Sequence, residues 1–329
     1  MTIFPDELKD IAGKAKAGGV LAEKDVPGLI AALEGHPWEA FCIADRLRRR
    51  RFGDCVDACS IINARSGNCP EDCAFCAQSV HHGTAVKTYP LLPEDEILKA
   101  ARAALDRGVR RFCIVTSGRG IGSEAELYAI ARSVEGIRAL DMMPCATLGT
   151  LDAGQLRTLR DAGLHRYHHN IETSRAYFPK ICATHGYDER IETLLAAKEL
   201  GLSLCSGGII GMGEAAADRA EMALSLRGLD VDSVPLNFLM PIPGTPLEGA
   251  APIIPLDALK TIALFRFILP DKEIRICGGR RSSLKDLHPM IFHAGASGLL
   301  MGDYLTTRGR SFDDDLGMLH DLGLRISYG

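Results

Sequence analysis

From about Asp57 onward, short apolar runs rich in β-branched residues alternate with capped amphipathic helices, and this alternation leaves few folds open. Strands are expected at 59–62, 111–116, 145–148, 166–171, 202–209, 233–239, 273–277 and 298–301. Between them, Pro93 opens a helix whose Ile97, Leu98, Ala101 and Leu105 form an apolar stripe, and Gly108 closes it. Asp152 is placed to cap a helix that ends at Gly163, and Asp188 one that ends at Gly201. Pro255 and Pro270 bracket the helix containing Ile262, Leu264 and Phe267. A helix after each strand returns the chain to the same end of the sheet, so the pairing is parallel. Eight such units fit most simply a single closed (β/α)8 TIM-type barrel, with a doubly wound open sheet as the alternative. Residues 1–52 read as an N-terminal helical extension and 53–329 as the barrel. The first interval is long and cysteine-rich, which is where a barrel places function, at the C-terminal strand ends.

The 329-residue chain carries a net charge of −4, which argues against nucleic acid or an anionic membrane surface as a partner. No apolar run approaches the roughly 18 residues of a spanning helix. Residues 1–16, with Asp6, Glu7, Lys9 and Asp10, read as an amphipathic helix rather than a signal peptide. Eleven cysteines without a secretory signal are expected as reduced thiols in the cytoplasm, where clustering means metal or catalysis. Cys42 and Cys55 stand outside any cluster and are assigned to packing. The basic run 46–51 reads as a solvated helix end, and Asp313, Asp314 and Asp315 as a solvated loop with a helix N-cap.

The densest chemistry lies in Cys69-Pro-Glu-Asp-Cys73-Ala-Phe-Cys76. Three thiolates on one loop can converge on an iron–sulfur cluster or on zinc. Structural zinc wants a fourth protein ligand, for which His81 and His82 are the nearby candidates. A four-iron cube held by three cysteines leaves one iron open to a small molecule. The spacing, with Phe75 before the last cysteine, resembles the radical S-adenosylmethionine (SAM) signature. Further along, polar and soft residues stand on expected strands where a barrel core normally has Val, Ile or Leu: Cys113, Cys145, Asn170, Glu172, Cys205, Asn237 and Arg275. Any one cysteine alone is a small buried hydrophobe. Three on successive parts of one barrel can share a second cluster if they point inward, and a buried Arg275 needs an anionic partner.

Taken in order, these motifs resemble the biotin synthase family within the radical SAM superfamily. The similarity runs from about Cys55 to Leu324. It is carried by Ser60-Ile-Ile-Asn63, the Cys69–Cys76 loop, Arg111-Phe-Cys113, Cys145-Ala-Thr-Leu-Gly149 and Tyr167-His-His-Asn170-Ile-Glu172. It continues in Cys205-Ser-Gly-Gly-Ile-Ile-Gly-Met-Gly-Glu214, Ser233-Val-Pro-Leu-Asn237, Gly244-Thr-Pro-Leu247, Arg275-Ile-Cys-Gly-Gly-Arg280 and Gly302-Asp-Tyr-Leu-Thr306-Thr307. The resemblance implies that Cys69, Cys73 and Cys76 ligate a [4Fe–4S] cluster that chelates SAM. It implies that Asn170 and Glu172 hold the SAM ribose with Arg190 near its carboxylate, and that Phe75, Ile209 and Met240 line the adenine. Asn170 and Asn237 would bind the ureido ring of dethiobiotin, and Thr306 and Thr307 its carboxylate tail. Cys113, Cys145, Cys205 and Arg275 match the ligands of a sulfur-donating auxiliary cluster, [2Fe–2S] in the commoner form. A flavodoxin or ferredoxin electron donor and a homodimer are implied as well.

The chain departs from the commoner pattern at Cys59, Cys182 and Cys277, and at His168, where an asparagine is usual. Cys59 and Cys182 are therefore expected as extra auxiliary ligands, holding a larger four-iron cluster. Two other classes stay open: another radical SAM enzyme, an amino-acid mutase or metallocofactor assembler, and an iron–sulfur carrier or scaffold. A zinc-stabilised binding protein is the third.

Overall fold

The structure, a computed structural model, describes Ile11, Gly13, Lys14 and residues 21–328; the expected amphipathic helix with Asp6, Glu7, Lys9 and Asp10 lies outside the described residues. Among the described residues, α1 (Val26–Gly35) and α2 (Pro37–Phe52) lead into the first strand. The order is then β1 (Cys55–Arg65), α3 (Glu94–Leu105), β2 (Arg111–Thr116), α4 (Glu124–Ala139), β3 (Met143–Thr147), α5 (Ala153–Asp161) and β4 (Arg166–His168). It continues with α6 (Tyr187–Glu199), β5 (Ser203–Cys205), β6 (Gly208–Ile210), α7 (Ala216–Gly228), β7 (Ser233–Phe238), α8 (Pro255–Ile268) and β8 (Glu273–Ile276). The last elements are α9 (Arg280–Leu284), β9 (Gly298–Leu300), α10 (Phe312–Asp321) and β10 (Arg325–Ile326).

Every neighbouring pair of these strands is parallel, and β9 returns to β1 with Asp57 opposite Gly298 and Cys59 opposite Leu300. That closure makes a barrel and excludes the doubly wound open sheet. β5 and β6 share one of the eight strand places, and β10 lengthens the ring by pairing with the start of β1. Strand periodicity sorts the side chains. Phe112, Ile114, Ala146, Tyr167, Val234, Leu236, Ile274 and Ile276 are buried against the helix layer, while the residues between them point inward.

Expectation and structure differ at several places for physical reasons. The strand expected at 202–209 breaks at Ser206 and Gly207, because the Gly207 N–H leaves the ladder and donates to Asn170 Oδ1 at 3.1 Å. Only glycine fits there, since an added Cβ would lie 2.0 Å from the Pro235 carbonyl oxygen. β4 stops at His168, and Glu172 takes a left-handed backbone, φ 69°, an expensive conformation for a residue with a side chain. Asp152 is an N-cap, accepting from Gln155 N at 2.9 Å. Asp188 is not: the N-cap is Gly186, whose N–H donates to Glu189 Oε1 at 2.8 Å. In the basic run, Arg48 is buried and donates to Asp45 at 2.9 Å and to the Gly53 carbonyl at 3.0 Å. Cys42, expected in packing, is exposed on α2.

Asp315 also departs from its reading. Ser311 is the N-cap of α10, but Asp315 is fully buried and accepts from both terminal nitrogens of buried Arg280 and from Arg310 Nε at 3.1 Å. This pair ties α9 and α10 together at the base of the segment carrying Thr306 and Thr307. Asp315→Ala is expected to cost about 3 kcal/mol, because it leaves the Arg280 charge buried without its carboxylate. Urea unfolding measures it; a loss below about 1 kcal/mol would mean that the site relaxes and hydrates.

Candidate active site

The loop after β1 carries Cys69, Cys73 and Cys76 on a frame of backbone hydrogen bonds. Cys69 N donates to Gln78 O and Val80 N to Cys69 O, each at 2.9 Å, and the Cys76 N–H closes a turn onto Cys73 O at 2.9 Å. The segment between β4 and α6 bolts this loop down. Asp72 Oδ1 accepts from Ala183 N at 2.9 Å and Thr184 N at 3.2 Å, and Glu71 Oε2 accepts from the Thr184 hydroxyl and from His185 Nδ1. Burial pushes the Cys76 thiol up to about 11, and the hydrogen bond to Cys182 together with burial pushes Cys73 up further. Ligation by a cation removes that penalty, so three soft donors on one hydrogen-bonded loop fit an iron–sulfur cluster. The zinc alternative finds no support from the histidines: among the described residues neither His81 nor His82 lies in a group of metal-ligating atoms with the loop cysteines.

Cys182 does not border the inner cavity. Its sulfur lies 3.8 Å from Cys73 Sγ and 3.2 Å from His185 Nδ1, against the outer side of the cysteine loop. Hydrogen bonds from Cys73 and His185 pull its pKa down to about 4. Cys73, Cys182 and His185 have the proximity of a metal site. The imidazole, however, accepts from Arg190 Nε at Nε2, 3.0 Å away, so Nδ1 carries the proton and has no lone pair for an ion.

Inside the barrel lies a cavity of about 180 Å3. Its wall holds five thiols, Cys59, Cys113, Cys145, Cys205 and Cys277, all buried. Cys113 and Cys145 face each other in register on adjacent strands, and Cys59 and Cys277 pack together with Leu300. Burial raises the thiol pKa values of Cys59, Cys113 and Cys277 and brings Cys205 to about 12. Beside them, Arg275 donates to Asp57 at 2.8 Å and to Glu273; Arg111 donates to Asp57 at 2.9 Å, and Arg166 lies 3.5 Å from Glu273. The anionic partners of Arg275 in this structure are therefore carboxylates. Three guanidinium groups against two carboxylates still leave this network with one positive charge in excess, and Arg166 Nη1 is buried without a hydrogen-bond partner. Soft donors beside this excess positive charge fit a thiolate-ligated, anionic cluster.

Phe75, Asn170, Glu172, Ile209 and Asn237 line the same cavity, so it reaches from the thiol wall to the cysteine loop. An adjoining pocket of about 120 Å3 shares Phe75, Ile209 and Asn237 and adds Cys76, Met240, Thr306 and Thr307. Thr307 Oγ1 is buried there without a partner, whereas Thr306 is exposed. Arg190 stands behind, donating to Asn170 O at 2.8 Å and lying 3.6 Å from Glu172. Asn237 is engaged with backbone on both sides, donating to Gly208 O at 3.3 Å and accepting from Gly278 N at 2.9 Å. Sequence reasoning missed Arg111, Arg166, Thr147 and Tyr304 on this wall, while Cys277, singled out as a departure two residues after Arg275, lines it as well. For Arg111, Thr147 and Arg166 a signal existed: each lies two positions from a residue already singled out (Cys113, Cys145 and His168), hence on the same strand face.

Residues 64–226 match the family model of the Radical SAM superfamily, and residues 235–325 match the Biotin and Thiamin Synthesis associated domain. Biotin synthase of Geobacter metallireducens is 50% identical over 97% of this chain and 97% of its own length. That of Geobacter sulfurreducens is 50% identical over 99% and 98%, and that of Heliobacterium modesticaldum 50% over 94% and 95%. Among solved structures, methylornithine synthase (PylB) superposes with a TM-score of 0.83 at 20% identity, covering 97% of both chains. HydG, a maturase of the [FeFe]-hydrogenase, gives 0.83 at 15% identity, covering 99% of this chain and 76% of its own. These two share the fold.

Proposed function

The chain belongs to the biotin synthase family of radical SAM enzymes, and we propose that it converts dethiobiotin to biotin within the inner cavity, drawing sulfur from an auxiliary iron–sulfur cluster. One observation carries the reading: a single cavity has a five-thiol, arginine-rich wall and, bordering the same space, Phe75 of the three-cysteine loop with Asn170 and Glu172, while Cys76 lines the pocket that adjoins it. When bound, the first cluster with SAM supplies a radical able to take hydrogen from unactivated carbon, and the second supplies sulfur.

The protein's share is holding and exclusion. Cys69, Cys73 and Cys76 hold the [4Fe–4S] cluster, with Glu71 and Asp72 fixing their loop. Glu172, Asn170 and Arg190 hold the ribose and carboxylate of SAM, and Phe75, Ile209 and Met240 enclose its adenine. Asn170 and Asn237 bind the ureido ring, and Thr306 and Thr307 the tail. Cys113, Cys145, Cys205 and Arg275 hold the auxiliary cluster, and Cys59 joins them in a four-iron form. Cys182, beside Cys73, is left out of that set. Leu300, Tyr304 and Leu305 help close the cavity, which keeps water from a reactive radical. Electron supply by a flavodoxin or ferredoxin, a cytoplasmic location and a homodimer complete the reading; among the described residues no helix is long and apolar enough to cross a membrane.

Anaerobic incubation with SAM, a reductant and dethiobiotin is expected to yield biotin and 5′-deoxyadenosine by mass spectrometry. Deoxyadenosine without biotin would point to another radical SAM reaction, and neither product to an iron–sulfur carrier. The place of Cys59 has its own measurement. Iron and sulfide analysis with Mössbauer spectroscopy on Cys59→Ser is expected to show an altered auxiliary signal beside an intact first cluster; an unchanged signal removes Cys59 from the ligand set.

A further inference from the structure

A directed chain of hydrogen bonds crosses the cavity wall from the thiols toward Glu172. Asn170 sets its polarity. The Gly207 N–H, 3.1 Å away, can only donate, so the atom it meets is Oδ1 and the amide nitrogen faces Glu172 Oε2 at 3.3 Å. His168 Nε2 lies 2.7 Å from the same Oδ1 and must therefore carry a proton. Burial is the main reason that the ring is neutral, with Arg275, Arg166 and Arg190 adding to it; together they outweigh the hydrogen bond to Asn170 and bring its pKa to about 4. A neutral ring protonated at Nε2 has its lone pair on Nδ1, which accepts from the Thr147 hydroxyl at 2.8 Å. The Thr147 oxygen in turn lies 3.5 Å from Cys113 Sγ.

We propose that His168 is a positioning residue: its Nε2–H locks the Asn170 amide with the nitrogen turned to Glu172, and Thr147 on the thiol-bearing wall locks the imidazole. This rests on the reading that Asn170 touches SAM and dethiobiotin. The Gly207 N–H and the longer contact to Glu172 give the amide two anchors, and His168 gives it the third and shortest. Without it, Asn170 is held by the two longer hydrogen bonds alone and turns away from its ligands more readily, so weaker binding is expected rather than a slower chemical step.

Two substitutions separate the ring nitrogens. Glutamine reaches the place of Nε2 and keeps the donor to Asn170; asparagine reaches only the place of Nδ1 and keeps the acceptor for Thr147. His168→Gln is expected to keep both KM values within about twofold, and His168→Asn to raise them roughly tenfold, the worth of one buried hydrogen bond, with kcat changing less. Equal effects of the two variants, or a loss confined to kcat, overturn the assignment. The tautomer is read independently in the cluster-free wild-type chain by 15N NMR of labelled histidine, with the His168 signals identified by their loss in His168→Gln. Protonation at Nε2 and a bare Nδ1 are expected; the reverse overturns the proposal even if His168→Asn fails to fold. A wild-type chain that makes no biotin would instead defeat the functional reading and leave the tautomer result standing.

Discussion

Alanine in place of Cys76 is expected to abolish both deoxyadenosine and biotin formation, a loss of at least about 10³-fold, or about 4 kcal/mol of transition-state stabilisation. The reason is stoichiometric. On the proposed reading three thiolates hold the first cluster on one loop, and the turn that sets two of them, Cys76 N to Cys73 O at 2.9 Å, is backbone and survives the change. The fold therefore persists while the cluster would lose one of its three ligands; among the described residues His82 lies in no group of metal-ligating atoms. Reconstituted protein should lose one cluster's share of iron and sulfide and keep the auxiliary signal. Retention of deoxyadenosine formation would show that Cys76 is not a ligand.

Serine in place of Cys145 is expected to divide the two activities. Cys145 lies in register with Cys113 on the thiol wall and makes no contact with the first loop. A harder oxygen ligand weakens a sulfur-donating cluster, so biotin should fall at least about 10²-fold, about 2.7 kcal/mol. Deoxyadenosine should persist within roughly a factor of three, since the cysteine loop, Glu172 and Arg190 are untouched. Loss of both products together would mean that Cys145 serves the structure rather than the second centre.

Much of this was legible in the sequence because barrel strands announce themselves by short apolar β-branched runs and their helices by prolines, caps and closing glycines. All eight strand places lie where the runs put them, and Cys113, Cys145, Cys205 and Arg275 point inward as required. What was not legible depends on partners far apart in the chain. Asp57 and Glu273 become the counter-ions of Arg111, Arg166 and Arg275 only when the barrel closes. Asp315 looked solvated because nothing local marks Arg280, 35 residues earlier, as its buried partner. Cys182 resembled a further auxiliary ligand by composition, but the segment between β4 and α6 folds back over the cysteine loop and carries it to Cys73. The break after Cys205 arises because the Asn170 side chain takes the Gly207 N–H that a continuous strand would have given to its neighbour.

Two inorganic centres opening onto one cavity are the claim from which the rest follows, and iron anomalous scattering from anaerobically grown crystals of the cluster-loaded protein tests it most directly. One iron peak should sit within ligand distance of Cys69, Cys73 and Cys76, and a second among Cys113, Cys145, Cys205 and Arg275, with both bordering the same cavity. A second peak at Cys182 and His185, or none beside the barrel thiols, would contradict it.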